Sequence, residues 1–547
     1  MKKTWVLLFF IFLVSVFLRF NSLANIPVGF HIDEASLGYN AYSLLLTGKD
    51  ENNQPFPLYI DMFGDNRPSG YHHLAILPVQ FWGLTVFATR FPAAFFGAIS
   101  IFAMFFLAYV LFRDKTTAFV ASILMAIAPW HIVLSRASGE AVIALFFILI
   151  GFGLIFLSIQ KKKSAYMLIG SLSLALSFFF YHTPRVFVPL LFFMYIGYFF
   201  WKFKSQINLQ HKRLLIISFI AVSLVAFSLV FFAKGGTGRF SQVNIFTFPE
   251  TRLVMEEQLR EDGISDVNLL STRAFHNKIV NYSLTFASNY LQYFSGEFLF
   301  IKGGLPSWYK VPNMGLIYIV ALPFIIYGLF RLLLSKNQFT KLPIIWLVVA
   351  PVVAAATVDD IPNINRAIVL FPVIELIAAY GIVEFVKKFS SKKILPISLG
   401  VGILFFANFL YFEHQYSVHA GIHRNWFRDE GFGELVQKIK KDYHKSDSIV
   451  VTKAISGYPL ILFYMQYDPK TYQAEGSPKD KSYSGFGKFI FVPQACPSLD
   501  RDGRFPSAEN ITYVDKGDCR DDESLLFKTQ EYILRKDGTK AFRIVHE

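Results

Sequence analysis

The feature that most constrains this chain is a succession of apolar blocks, each roughly twenty residues long, separated by short clusters of lysine and arginine. Wound into a helix at about 1.5 Å per residue, a block of about 20 residues crosses the roughly 30 Å hydrocarbon core of a bilayer. Inside lipid the backbone amides must be satisfied within the segment, so such blocks are helices. The 547 residues are 54% hydrophobic and 17% charged, against about 25% charged in soluble domains. The chain reads as a polytopic α-helical membrane protein.

Eleven spans are expected, at 4–20, 87–111, 116–133, 140–159, 164–181, 186–201, 214–232, 313–334, 342–358, 367–386 and 394–411. On that count the basic clusters share one side: Lys2 and Lys3, Arg113 and Lys115, Lys161 to Lys163, then Lys202, Lys204, Lys212 and Arg213. Arg331, Lys336, Lys341, Lys387, Lys388, Lys392 and Lys393 continue the pattern. Cytoplasmic loops retain lysine and arginine, so the N-terminus is expected in the cytoplasm and, after an odd number of spans, the tail outside. Residues 1–24 imitate a signal peptide but are read as an uncleaved first span that anchors the polar loop behind it. These clusters account for much of the net charge of +14. No basic stripe interleaved with stacking aromatics is present, so a nucleic-acid partner is not expected.

The expected organisation is a transmembrane domain over 1–411, with outer loops 21–86 and 233–312, and an extracytoplasmic α/β domain over 412–547. Pro249 and Gly263 bracket a helix at 249–262. The aromatic stretch 274–300 is expected at the membrane interface. In the tail, Phe432, Leu435, Val436, Ile439 and Tyr443 repeat with a helical period. Strand-like runs follow at Ser448–Thr452, Lys488–Val492 and Ile511–Val514. Both cysteines, Cys496 and Cys519, lie in this tail: spare thiols, or a disulfide if the tail faces an oxidising compartment. No internal repeat is evident, which argues against a secondary transporter.

The chemistry-bearing residues are the charges outside the lysine clusters. They are His31-Ile32-Asp33-Glu34, Gly64-Asp65-Asn66-Arg67-Pro68, Pro129-Trp130-His131 with Ser135-Arg136 and Glu140, Tyr181 to Arg185, and Asp359-Asp360 through Asn365-Arg366. On the expected topology all sit at one depth on the outer side. Insertion scales put an ionisable group at the bilayer centre at about 2.5–3.5 kcal/mol, less near the surface. Taken singly, Arg67, Arg136, Arg185 and Arg366 are explained as well by snorkelling or pairing with carboxylates. As a set they suit an anion at the membrane surface, and the guanidinium fork matches a phosphate. Asp33 and Glu34 are adjacent and so point apart, one suited to act as a base and the other to orient or to bind metal. His31, His72 and His73 could join them around a divalent cation, although no close-spaced ligand motif is present.

On these residues the chain resembles the GT-C superfamily of polyprenyl-phosphate-dependent glycosyltransferases. It is similar to the bacterial relatives of protein O-mannosyltransferases (glycosyltransferase family 39) and to the lipid A aminoarabinose transferase. The resemblance runs over residues 1–470, through Phe30 to Ala35, Gly38-Tyr39-Asn40-Ala41-Tyr42, Gly64 to Pro68, Ala88-Thr89-Arg90-Phe91-Pro92, Pro129 to Glu140 and Tyr181 to Arg185. Phe275-His276-Asn277-Lys278, Phe298-Leu299-Phe300 and Asn365-Arg366-Ala367 before Pro372 extend it.

The resemblance implies a GT-C fold and an inverting glycosyltransferase that moves a hexosyl or pentosyl group from a polyprenyl-phosphate donor on the outer face of the membrane. The acceptor would be a hydroxyl on a protein, a lipid or a glycan of the cell envelope. It implies Asp33 as catalytic base with Glu34 beside it, Glu140 as a second acidic position, and Arg67 in the place of the phosphate-contacting base of a Lys-Pro-Pro-like turn. The sequence departs there, reading Arg67-Pro68-Ser69-Gly70-Tyr71-His72-His73. Arg136, Arg185 and Arg366 are further candidates for the donor phosphate, and a divalent metal is a candidate cofactor. The competing readings are a transporter or flippase of lipid-linked sugars, which calls for ionisable groups near mid-membrane, and a non-enzymatic scaffold.

Overall fold

The computed structural model describes residues 2–547 apart from 63–64, 204–207, 234–235, 237–242, 248, 424, 456, 476–484, 501–508 and 522–528. Among the described residues, five helices are long and apolar enough to cross a membrane: Val86–Phe112, Glu140–Lys161, Pro184–Lys202, Leu209–Phe231 and Ser391–His419. Lys115–Ile127 and Pro129–Ser135, bent by 54°, make a sixth if taken as one span. The bend falls where Pro129 opens the second helix and forces Ala128 into extended backbone. Thr4–Phe20, Ser164–Ser177, Ile319–Leu334 and Phe339–Ala355 are shorter apolar helices, and Leu370–Val386 has 17 residues. Every predicted segment thus carries helix, and among the described residues five, or six with the bent pair, are individually long and apolar enough to cross. The chain is a multi-pass helical membrane protein.

Helices pack closely where small residues allow it. A methyl group on Gly328 would lie 2.1 Å from the Ile377 carbonyl oxygen of the Leu370–Val386 helix, so this pair meets backbone to backbone. The bundle also encloses ionisable groups that the sequence reading did not single out as a cluster. Arg19 lies 2.6 Å from His131 Nδ1 and donates to the Ala126 carbonyl, while Trp130 Nε1 donates to Glu375 at 2.7 Å.

Outside the bundle, the loop after the first helix contains a helix, Ile32–Thr47, and a hairpin of Tyr59–Met62 with Asp65–Pro68 in which Ile60 faces Arg67. The helix expected at 249–262 spans Pro249–Ile264, running through Gly263 rather than stopping before it. Lys278–Gln292 forms a helix in the aromatic stretch, with Ile279, Leu284 and Leu291 exposed.

The tail folds as a helix, Phe432–Asp442, against a six-stranded sheet. Ser448–Thr452 runs parallel to Phe489–Val492 on one side and to Ile511–Lys516 on the other. Antiparallel strands complete the edges, and Arg543 and Asp515 pair at 2.7 Å within the sheet with neither side chain exposed. Cys496 and Cys519 are disulfide-bonded.

This sheet domain does not stand apart from the first loop. Phe30, Ala35, Tyr39 and Leu84 share one apolar core with Leu435, Val436, Leu460 and Phe463. The rings of Phe30 and Phe463 are 4.6 Å apart. Tyr39 donates to the Tyr467 carbonyl, and Gln473 Nε2 reaches Ser43, Thr47 and the Asp50 carbonyl. The first turn of Ile32–Thr47 is therefore set by the tail as well as by its own sequence.

Candidate active site

The first four amides of a helix have no intrahelical acceptor, and those opening Ile32–Thr47 are satisfied by side chains. His31 is the N-cap: its Nδ1 accepts from the Asp33 amide at 3.2 Å, and Glu34 Oε2 accepts from the His31 amide at 3.4 Å. Acceptance at Nδ1 needs an imidazole unprotonated there; burial, the largest effect, lowers the His31 pKa below its ordinary value. The capping geometry sends the two adjacent carboxylates in different directions.

Glu34 points inward and is 3% exposed. Its two oxygens take Arg90 Nε at 2.9 Å and Nη2 at 3.0 Å, with Ser138 Oγ at 3.1 Å and Arg428 Nη1 at 3.4 Å. Burial alone would raise this carboxyl; Arg90 and Arg428 outweigh it and hold it below the ordinary range. Arg90 also donates to the carbonyls of Leu23, Pro27 and Gly29, fastening the loop after the first helix. Glu34 is thus the anchor of the turn.

Asp33 points the other way and keeps about a quarter of its side chain exposed (23%). It accepts from Arg67 Nη2 at 3.0 Å, and Arg67 Nε pairs with Asp65 at 3.2 Å on the same hairpin. Burial would lower the Arg67 pKa, but Asp33, Glu140 and Asp65 together raise it, so the guanidinium stays charged.

Asp33, Arg67, Glu140 and Arg366 all line one cavity of about 560 Å³, together with Glu34, His31 and Arg185. Part of its lining is apolar, formed by Ala226, Phe227, Val230 and Phe231 of the Leu209–Phe231 helix. Glu140 opens the Glu140–Lys161 helix, where its Oε1 is buried without a hydrogen-bond partner among the described residues. Arg366 is held by Thr357 Oγ1 at 3.0 Å, by the Asp359 carboxylate at 3.0 Å and by the Asp359 carbonyl. Arg185 spends its donors on the Phe178 carbonyl, the Tyr59 hydroxyl and His182, and lies over the Tyr59 ring. It closes the end of the Ser164–Ser177 helix as much as it faces the cavity.

Arg136 is not in the cavity. Its guanidinium donates to the carbonyl of Leu18 in the last turn of the first helix and to those of Asn21 and Ile26 just beyond it, and sits over Tyr416. Cations near a helix C-terminus satisfy orphan carbonyls, so this candidate phosphate ligand is a clamp on the backbone.

The histidine candidates also separate. His31 lines the cavity; His72 is fully buried and His73 stacks on Phe56. Burial first, then His73 and Arg67, depress the His72 pKa to about 3. Among the described residues no group of three or more histidine, cysteine, aspartate or glutamate side chains is arranged to hold a metal ion. With Asp33 on Arg67 and Glu34 on Arg90, these residues do not fit a divalent cation. Gly64 lies outside the described residues.

The sequence reading missed Arg428, Trp308 and Tyr309, which also line the cavity. Trp308 stacks on His31 with ring centroids 4.2 Å apart. Arg90 lies in the family resemblance without an assigned role; a lone arginine near the start of an apolar span is the available signal.

No protein-family model matches the chain, and no curated protein matches it in sequence. Solved structures do. ArnT from Cupriavidus metallidurans, bound to undecaprenyl phosphate, matches at 11% identity and TM-score 0.55 over 100% of this chain and 98% of that one. The oligosaccharyltransferase AglB from Archaeoglobus fulgidus, in complex with an inhibitory peptide and a dolichol-phosphate, matches at 14% identity and TM-score 0.54. A second structure of that oligosaccharyltransferase, with Zn and sulfate, matches at 15% identity and TM-score 0.52. In both, 84% of this chain is covered, and the chain spans 61–63% of the length of the archaeal protein. The chain shares its fold with these structures.

Proposed function

We propose that the chain is an inverting glycosyltransferase that takes a hexosyl or pentosyl group from a polyprenyl-phosphate on the outer face of the membrane. The observation that carries this reading is the Asp33–Arg67 pair inside a cavity with an apolar wall. It places a carboxylate and a guanidinium about one hydrogen bond apart, at the edge of a surface suited to an isoprenoid chain. The two structural neighbours that were solved with polyprenyl phosphates support the same reading.

In the proposed reaction, Asp33 accepts the proton of an acceptor hydroxyl as its oxygen attacks the anomeric carbon. The bond from that carbon to the phosphate oxygen breaks on the opposite face. The products are a glycoside of inverted configuration and a polyprenyl monophosphate that carries one more negative charge. Arg67 stabilises that growing charge, and Arg366 lines the same cavity; a preoriented cation contributes most where charge develops. As the donor phosphate engages Arg67, Asp33 is released from its ion pair to act as a base. The N-terminus is cytoplasmic and the sheet domain outside, as the lysine clusters imply.

The flippase alternative draws on the buried Arg19, His131 and Glu375, but none of these lines the cavity. Two measurements test the proposal. Lipids extracted from the purified protein should contain a polyprenyl phosphate or its sugar adduct. Protein in proteoliposomes should transfer label from a panel of undecaprenyl-phosphate sugars to a mixed acceptor pool; movement of intact donor across the bilayer without hydrolysis or transfer would overturn it.

A further inference from the structure

The first turn of Ile32–Thr47 is completed from the far end of the chain. Within that turn, the Asp33 amide is capped by His31, which leaves the Ile32 amide without a local acceptor. Asp429 Oδ2 supplies one at 3.0 Å, across 397 residues of sequence. Beside it, Arg428 donates from Nη1 to Glu34 and from Nε to the Trp308 carbonyl at 3.0 Å, and Trp308 stacks on the cap residue His31. The approach is so close that a Cβ on Gly29 would lie 2.4 Å from the Arg428 carbonyl oxygen, at a φ of +80°. Only glycine suits that position.

We infer that Asp429, aided by Arg428, is a positioning residue for the proposed base: it caps the Ile32 amide from the C-terminal segment and so fixes the direction in which Asp33 faces the cavity. The inference rests on the glycosyltransferase reading for its kinetic consequence but not for its structural one. It differs from simple domain docking, which Gln473 also provides through Ser43, Thr47 and Asp50 at the other end of the same helix.

The test uses the full-length protein in nanodiscs. Asp429 has a φ of 52°, so Asp429→Gly removes the side chain without left-handed strain, and Asp429→Asn keeps an acceptor oxygen. One cap bond is worth roughly a threefold to thirtyfold change in population of the ordered turn. Asp429→Gly should therefore lower kcat about tenfold, leave the donor KM within about twofold, and speed amide exchange at residues 32–35. Asp429→Asn should restore both readouts, and Gln473→Ala should change neither. Wild-type kcat and protected amides in Asp429→Gly would overturn the inference, as would equal losses in Asp429→Gly and Gln473→Ala. If the wild-type protein transfers no sugar, the proposed function falls, and amide exchange alone decides the positioning.

Discussion

Asp33 and Glu34 are neighbours in sequence with opposite surroundings, and conservative substitutions should separate the roles proposed for them. Glu34→Gln replaces a carboxylate whose side chain is 4% exposed and whose partner Arg90 is 0% exposed. Removing one member of a buried ion pair costs about 3–5 kcal/mol, because the other charge is left uncompensated. Here Arg90 retains the Leu23, Pro27 and Gly29 carbonyls, which favours the lower end, about 3 kcal/mol. Asp33→Asn acts at a site where both partners are 23% exposed and Arg67 keeps Asp65, so the cost should stay under about 1 kcal/mol. Thermal unfolding in one detergent, followed by tryptophan fluorescence, should show a drop of several degrees for Glu34→Gln and little change for Asp33→Asn. The reverse order of stabilities would refute the division into anchor and base.

Arg67→Ala removes a charged donor from the cavity and should weaken undecaprenyl phosphate binding by about tenfold to a hundredfold, measured by competition in nanodiscs; unchanged affinity would remove Arg67 from the phosphate site. Asp429 is held at a raised pKa of about 7, chiefly by burial and then despite its bond from Ile32. Between about pH 4 and 7 the folded carboxyl keeps a proton that the unfolded one has lost, so this group costs stability as pH rises through that window. Asp429→Asn should accordingly gain stability relative to the wild type between pH 5 and pH 8, read as the difference in Tm; a constant difference would show that Asp429 does not titrate there. Cys519→Ser opens a loop with a sequence separation of 23, and should destabilise the sheet domain by about 3 kcal/mol in urea.

The apolar blocks were legible because lipid leaves the backbone one solution, and every expected span holds a helix. Where each helix breaks and begins was less legible. Pro129 and Pro351 divide apolar stretches, and the stretch expected from residue 313 becomes helical only at Ile319. Asp33, Arg67, Glu140 and Arg366, which line one cavity, could be gathered from position alone, since each sits near a helix end or in the loop after the first helix. The same reasoning misplaced Arg136, which looks equivalent in sequence but lies where the carbonyls ending the first helix need a donor. Arg428 and Asp429 carry no motif, and their partners in the first turn, Glu34 and Ile32, are nearly 400 residues away. The packing of Phe30 and Tyr39 against the tail core helps bring them to the first turn.

The most direct measurement is single-turnover transfer from undecaprenyl-phosphate sugars by wild-type protein and by Asp33→Asn, with donor affinity determined on the same samples. A general base contributes about 10²–10⁴-fold, so the variant should bind donor like the wild type and transfer at least about a hundredfold more slowly. Wild-type turnover by Asp33→Asn would contradict the assignment of the base and, with it, the chemistry proposed for the cavity.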